Sequence, residues 1–356
     1  MSLLCLRTLR QYLVLLTGCV LNSFVPAALA EGNEPQSQVL FYMEDCRSPV
    51  NASIREQLIL QSYEHSVKLK EGCGQGKAQD VWGLFGESTE LTMPMLMLVW
   101  DHAEDETVAH HAERARLPLL FVADDPGTDV FTKYSTTWYV GSDLLLPGKI
   151  QAQLLHEYQQ IHPNWDRNGN GKVDYVLFKG IQGNLETISR AKTFRQELRR
   201  LKIPTQILGE YFGPWSGALV KEQFETLLQH TAIEDLDAVI CASDRIALAA
   251  VRELQQRGFN LGPDRPYIPV LSIDGIAEGL AAVRAGELEA TVTRDARTIA
   301  QVAMSIVRQY LKNPDLKPAQ VQLPYKFNSL RKVLVPFLVA RVEQGELTLT
   351  PYETDK

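Results

Sequence analysis

The chain has 356 residues, 45% of them hydrophobic, and carries 36 Lys and Arg against 43 Asp and Glu, a formal net charge of −7. That acidic balance argues against a nucleic-acid partner, which needs basic surface to neutralise phosphates. The length exceeds one ordinary hydrophobic core and points to two domains.

The segment 1–30 reads as a secretory signal. Arg7 and Arg10 precede apolar runs at 12–16 and 20–29, and Ala28-Leu29-Ala30 supplies small residues for cleavage near Ala30. Asn22 and Pro26 interrupt a stretch already short of the roughly 20 apolar residues a membrane span needs. Leu16-Thr17-Gly18-Cys19 resembles a lipoprotein processing box, the alternative that leaves a lipid on Cys19. Export to the periplasm is the expectation in both cases. Cys46, Cys73 and Cys241 then meet an oxidising compartment, where one disulfide and one free thiol is the natural count.

From residue 37 short apolar strands alternate with amphipathic helices, the pattern of a parallel sheet covered on both faces. Strands are expected at 38–43, 66–71, 95–100, 117–123 and 136–141, with helices at 51–63 and 105–116. After Ser142 the alternation starts again. Helices are expected at 149–161, 186–202, 218–230 and 245–257, interleaved with strands at 173–179, 204–211, 236–242, 268–274 and 290–294. In 245–257 the residues Ala247, Leu248, Val251 and Leu254 share one face, Arg252, Gln255 and Gln256 the other, and Gly258 ends the helix. A last helix is expected at 296–311, then an apolar strand at 332–340. Pro336 stands in its middle, which implies a sheet edge or a chain passing from one sheet to another. Cys46 and Cys73 follow the first and second strands, so they lie at neighbouring carboxyl ends of one sheet, where a bridge can form.

The sharpest local motif runs from Asp166 to Asp174, with oxygen-bearing side chains at positions 1, 3, 5 and 9 and glycine at 6. This spacing wraps a hard cation: Asp166, Asn168, Asn170 and Asp174 give side-chain oxygens, Lys172 gives its backbone carbonyl, and Gly171 permits the sharp turn. The bidentate Glu usual at position 12 is replaced by Leu177, so a Ca2+ ion needs a remote ligand. Other candidates are weaker. Gly72-Cys73-Gly74-Gln75-Gly76 does not match a dinucleotide fingerprint, and His102, His110 and His111 belong to an acidic solvated face. Ser216 lacks the glycine spacing of a nucleophile elbow. No set of residues points to catalysis, and a binding protein rather than an enzyme is expected.

Four segments carry a resemblance to the ribose-type periplasmic solute-binding proteins, in particular their galactose/glucose-binding members. They are Trp138 to Asp143, Asp166 to Gly180, Ala238 to Asp244 and Pro269 to Asp274; the calcium loop running straight into Tyr175-Val176-Leu177-Phe178-Lys179-Gly180 is the specific part. The resemblance covers nearly all of the mature sequence. It implies an α/β fold of the periplasmic binding protein type 1, two doubly wound parallel-sheet lobes joined by three crossover segments near Ser142, Arg294 and Pro336. One lobe is then 37–141 plus 295–335, the other 142–294 plus 336–350 with the calcium loop 166–174. In that family the remote calcium ligand is a glutamate, and Gln206 stands in its place, while Asp174 replaces a glutamine, so two carboxylates survive.

The resemblance also implies a ligand set in the cleft. Arg190, Trp215 and Asp274 match family positions for a forked donor, a stacking ring and a carboxylate. Asn184 and Glu186 stand where a histidine and an aspartate are usual. Asp45, Asp124, Ser243, Asp244 and Arg294 complete the set, with Ala123, Ser243 and Arg294 in place of three asparagines. Arg294 and the Ala242-Ser243-Asp244 turn are closer to the family's autoinducer-2 receptor. The expected function is capture of a small polar ligand, a carbohydrate or similar solute, by a monomer that serves an ABC permease. The alternative is a sensor subunit that reports to a membrane kinase or chemoreceptor.

Overall fold

The computed structural model describes residues 38–74, 96–99, 105–262 and 265–353. The expected signal segment and Cys19 lie outside them, as do Gly76 and His102.

The first sheet has the order β11-β5-β4-β3-β1-β2. It is built from β1 (Gln38–Met43), β2 (Lys68–Cys73), β3 (Leu96–Val99), β4 (Leu119–Ala123), β5 (Thr137–Gly141) and, from far downstream, β11 (Lys332–Leu334). Every pairing in it is parallel. Strands such as LLFVA and TWYVG are buried at each residue because helices cover both faces. One face packs against α1 (Pro49–Glu64) and α9 (Ala296–Lys312), the other against α2 (Asp105–Arg114) and α3 (Thr128–Lys133).

The second sheet has the order β13-β12-β10-β9-β8-β6-β7. Its parallel part holds β6 (Val173–Lys179), β7 (Thr205–Phe212), β8 (Ala238–Cys241), β9 (Val270–Asp274) and β10 (Ala290–Arg294). The helices α4 (Leu146–Ile161) and α5 (Leu185–Arg200) cover one face, and α6 (Val220–Leu228) and α7 (Asp244–Gln255) cover the other, with α8 (Ala277–Arg284) alongside. The strands β12 (Phe337–Glu343) and β13 (Glu346–Pro351) add an antiparallel hairpin to this otherwise parallel sheet. The single strand expected over 332–340 is therefore two. β11 pairs with β5 in the first sheet, β12 pairs with β10 in the second, and Pro336 sits between them.

Local chemistry explains most element starts. Asn184 caps α5 by accepting from the Thr187 amide, Ser243 caps α7 by accepting from Ile246, and Asp295 caps α9 by accepting from Thr298. Helix α4 opens three residues before the expected 149 because Pro147 lies in its first turn, where a missing N–H costs nothing. Strand β2 opens at Lys68 and not Ser66, whose φ of 54° is left-handed. Helices α3 and α8 have no counterpart among the expected elements; they span only 6 and 8 residues, too short for a clear period.

A disulfide joins Cys46 and Cys73 across a Cα–Cα distance of 5.9 Å, tying the loop after β1 to the end of β2. Cys241 is free and buried.

Candidate functional site

In both sheets the strand order reverses beside the first strand of the unit, β1 in one and β6 in the other. In open α/β sheets ligands bind beyond the carboxyl ends of strands at such points. A cavity of about 190 Å³ lies there, lined from both lobes. The residues after β1 (Ser48, Pro49, Val50, Asn51) and Asp124 after β4 form one wall. Asn184, Glu186, Arg190, Trp215, Arg245, Asp274 and Arg294 form the other.

The centre of the cavity is a chain of alternating charges. Arg294 Nη2 donates to Asp124 at 3.1 Å and to Glu186 Oε1 at 2.9 Å. Arg190 Nη2 donates to the other oxygen of Glu186 at 2.8 Å, and its Nη1 lies 3.7 Å from Asp274 and bonds the Ala242 carbonyl. Glu186 thus bridges the two arginines, and three carboxylates face two guanidinium groups. Arg294 Nε is buried with no hydrogen-bond partner. The Arg190 guanidinium stands 5.4 Å from the centre of the Trp215 ring. Gly180 makes room for that indole, since a Cβ there would stand inside the ring's van der Waals shell.

Two backbone positions at the cavity are strained. Ala123 has φ 72° and Asp274 has φ 121°, conformations that side-chain-bearing residues seldom adopt. Asp274 is held there by Thr293 Oγ1, which donates to its carbonyl at 2.9 Å, and by Gly275, which packs directly on Thr293. Burial pushes the Asp274 carboxyl up to about 8, with Asp244 and Glu186 adding to the rise and Arg190 and Arg294 opposing it. The fold therefore keeps a proton that the unfolded chain gives up near its ordinary 3.8. The stabilisation is complete below that value and is lost as pH rises through about 8. The melting temperature is expected to fall over this window, and Asp274→Asn is expected to flatten the fall; a variant that tracks wild type would show that Asp274 does not titrate there.

Seven of the ten residues expected in the cleft line it: Asp124, Asn184, Glu186, Arg190, Trp215, Asp274 and Arg294. Asp45, Ser243 and Asp244 are not in the lining. Asp45 is exposed and accepts from the Arg47 amide at 2.9 Å. Ser243 is buried; besides capping α7 it donates to the Trp215 carbonyl at 3.3 Å, which seats the indole from below. Asp244 is fully buried beneath the Asp274 turn and accepts from Ser272, Thr291 and the Ile276 amide. Ser48 to Asn51 and Arg245 were not among the expected residues. Their position immediately after β1 and β8 was the one signal that could have found them.

The loop 166–174 closes on itself. Asp166 accepts from the amides of Asn170 (3.1 Å) and Gly171 (2.8 Å), and the side-chain amides of Asn168 and Asn170 both donate to Asp174 Oδ2 at 2.7 Å. Gly171 has φ 76°, the left-handed turn the motif requires. Asp174 is buried, and its Oδ1 has no hydrogen-bond partner. Gln206 stands beside Asp174 in the β6 and β7 register, with its residue exposed. Sequence reasoning missed Asp237, which accepts from the amides of Arg167 (2.9 Å) and Asp174 (2.8 Å) and so backs the loop. Among the described residues no group of three or more His, Cys, Asp and Glu side chains forms a metal cluster.

The family model for the periplasmic binding protein domain matches residues 101–315. The chain belongs to that family. Among curated relatives, the D-galactose/methyl-galactoside binding periplasmic protein MglB of Haemophilus influenzae is 28% identical to this binding protein over 233 residues, 63% of this chain and 68% of the relative. Among solved structures, a periplasmic solute binding protein of Actinobacillus succinogenes 130z with bound D-allose aligns at a TM-score of 0.66. It is 17% identical, and the match covers 86% of this chain and 98% of that one. The arabinose-transporter binding protein of Shewanella sp. ANA-3, bound to L-arabinofuranose, aligns at 0.63 with 22% identity, covering 79% of this chain and 87% of that one. At these identities the likeness to the two structures is one of fold. No helix among the described residues is long and apolar enough to cross a membrane.

Proposed function

We propose that this chain captures a small neutral polyhydroxylated solute, a sugar or polyol, between its lobes in the periplasm and delivers it to an ABC permease. The observation that carries this reading is the charge chain from Asp124 through Arg294, Glu186 and Arg190 to Asp274, set against the Trp215 indole. Arg190 and Arg294 each already face two carboxylates, so neither guanidinium at the centre of the cleft is left over for an anion. The same groups present fixed donors and acceptors in pairs, as vicinal hydroxyls require, and the indole offers an apolar face for stacking. The relatives named above bind galactosides, allose and arabinofuranose, which agrees with this chemistry. The three carboxylates are tied to arginines, an arrangement suited to holding a ligand.

A thermal-shift screen of neutral sugars and polyols tests the reading, because a ligand at a hundredfold over its Kd adds about 2.7 kcal/mol of stability. Trp215→Ala is expected to weaken the best hit by about 2 kcal/mol, about 30-fold, as the loss of a stacking platform should. If sugar acids stabilise the protein and neutral sugars do not, the charge argument is wrong.

The loop 166–174 is proposed to hold Ca2+ as a structural clamp. The orphaned Asp174 Oδ1 and the gathering of Asn168 and Asn170 on the same buried carboxylate support it. Asp166, Asn168, Asn170, the Lys172 carbonyl, Asp174 and Gln206 would be the ligands. Chelation should then lower the melting temperature of calcium-loaded protein, and Asp166→Ala should do the same while making it insensitive to chelator. No calcium uptake by stripped protein in calorimetry would reduce the loop to a turn.

A further inference from the structure

Helix α5 presents two functional stripes. Glu186 and Arg190 face the cleft, whereas Thr187, Lys192, Arg195 and Arg199 face away from it and line a second cavity of about 370 Å³ against Glu210 and Phe212 of β7, with Lys179 at the end of β6. Four cations and one carboxylate meet there, a local excess of positive charge on a chain whose formal net charge is −7. Glu210 is taken up by Lys179 at 2.6 Å and Arg195 at 2.5 Å, and Lys179 also lies 3.2 Å over the Phe212 ring. Lys192 and Arg199 have no ion pair among the described residues, and both are exposed along the same cavity.

A second observation points to an occupant. Thr187 is only 1% exposed and lines this cavity, yet its hydroxyl has no hydrogen-bond partner. A buried hydroxyl left unpaired is unfavourable, a cost that an acceptor in the cavity removes. The unpaired cations are spread along the helix, with Lys192 and Arg199 about 10 Å apart at 1.5 Å per residue. Two cations without an ion pair call for a ligand that brings two negative charges or more. We propose that this groove binds a small multivalent oxyanion, one carrying two or more negative charges on carboxylate or phosphate groups, with Thr187 as a hydroxyl donor at its floor and Lys192 and Arg199 as its charge partners.

Calorimetry of the full protein with inorganic phosphate and, separately, with glutarate tests this at ionic strength held constant with sodium chloride; the two arms distinguish phosphate from carboxylate recognition. Saturable uptake of one anion per chain is expected in at least one arm. The double variant Lys192→Glu, Arg199→Glu should weaken it tenfold or more, and Thr187→Val should weaken it about fivefold, the value of one hydrogen bond. Arg308→Glu, an exposed cation on α9, should leave it unchanged. Uptake of neither anion, or uptake equal in wild type and the double variant, would overturn the proposal. Binding of a hexaglutamate peptide with no uptake of phosphate or glutarate would also overturn it, in favour of a protein partner.

Discussion

Arg190→Ala is expected to destabilise the protein by about 3–5 kcal/mol, the range for removing one member of a buried charge cluster. Arg190 is buried, with its side chain 7% exposed, and it holds Glu186, Asp274 and the Ala242 carbonyl together. Truncation takes one guanidinium away from Glu186 and leaves Asp274 with a weaker reason to ionise. Because burial already raises the Asp274 carboxyl to about 8, it can escape by keeping its proton, and the loss should fall toward the lower end of the range at neutral pH. The check is a shift of the urea midpoint with an unchanged slope. Arg190→Lys should recover much of the stability but not the ligand affinity, because an ammonium lacks the planar fork that meets two partners at once. A midpoint for Arg190→Ala within error of wild type would mean that the charge chain does not hold the cleft.

Asp244→Ala should cost about 3–5 kcal/mol as well, for a different reason. The carboxylate accepts from Ser272 Oγ at 2.6 Å, Thr291 Oγ1 at 2.6 Å and the Ile276 amide at 2.8 Å, all in the interior. Removing it strands one amide and two hydroxyls, each worth about 1–3 kcal/mol when left unpaired. The hydroxyls can turn to other acceptors, and Ser272 has the Ala290 carbonyl at 3.5 Å; the amide cannot. Since Ile276 and Gly275 lead straight from Asp274, ligand affinity should fall together with stability. Urea melts and ligand titration of Asp244→Asn decide between the two roles. A ligand residue would lose affinity with its midpoint intact, whereas the buried post described above loses both.

These two residues mark how far the sequence could be read. Asp244 was expected in the cleft because the Ala242-Ser243-Asp244 turn, at a strand end, resembles the family's ligand turn. A strand end has a ligand side and a core side, and spacing cannot say which way a side chain at the first turn of a helix points. The cap at Ser243 and the closely packed Gly279 beside Asp244 turn it inward. Arg190 was expected because the resemblance places a forked donor there; its pairing with Glu186, four residues before it on one helix, came from the structure. Ser48 to Asn51 belong to the loop after β1, and no local pattern sets them apart from any other helix start.

What the sequence determined by itself was everything that depends on near neighbours: the alternation of buried strands and amphipathic helices, the caps at Asn184 and Asp295, and the glycine-spaced loop at 166–174. Hydrophobic period, capping and turn chemistry act over a few residues, so they are written in order along the chain. Only the tertiary structure decided which charges neutralise which. Arg294 meets Glu186 across 108 residues and Asp124 across 170, and the positive stripe of α5 gains its cavity from β7. Coulomb energy and desolvation depend on distance and burial in space, and neither is set by position along the chain.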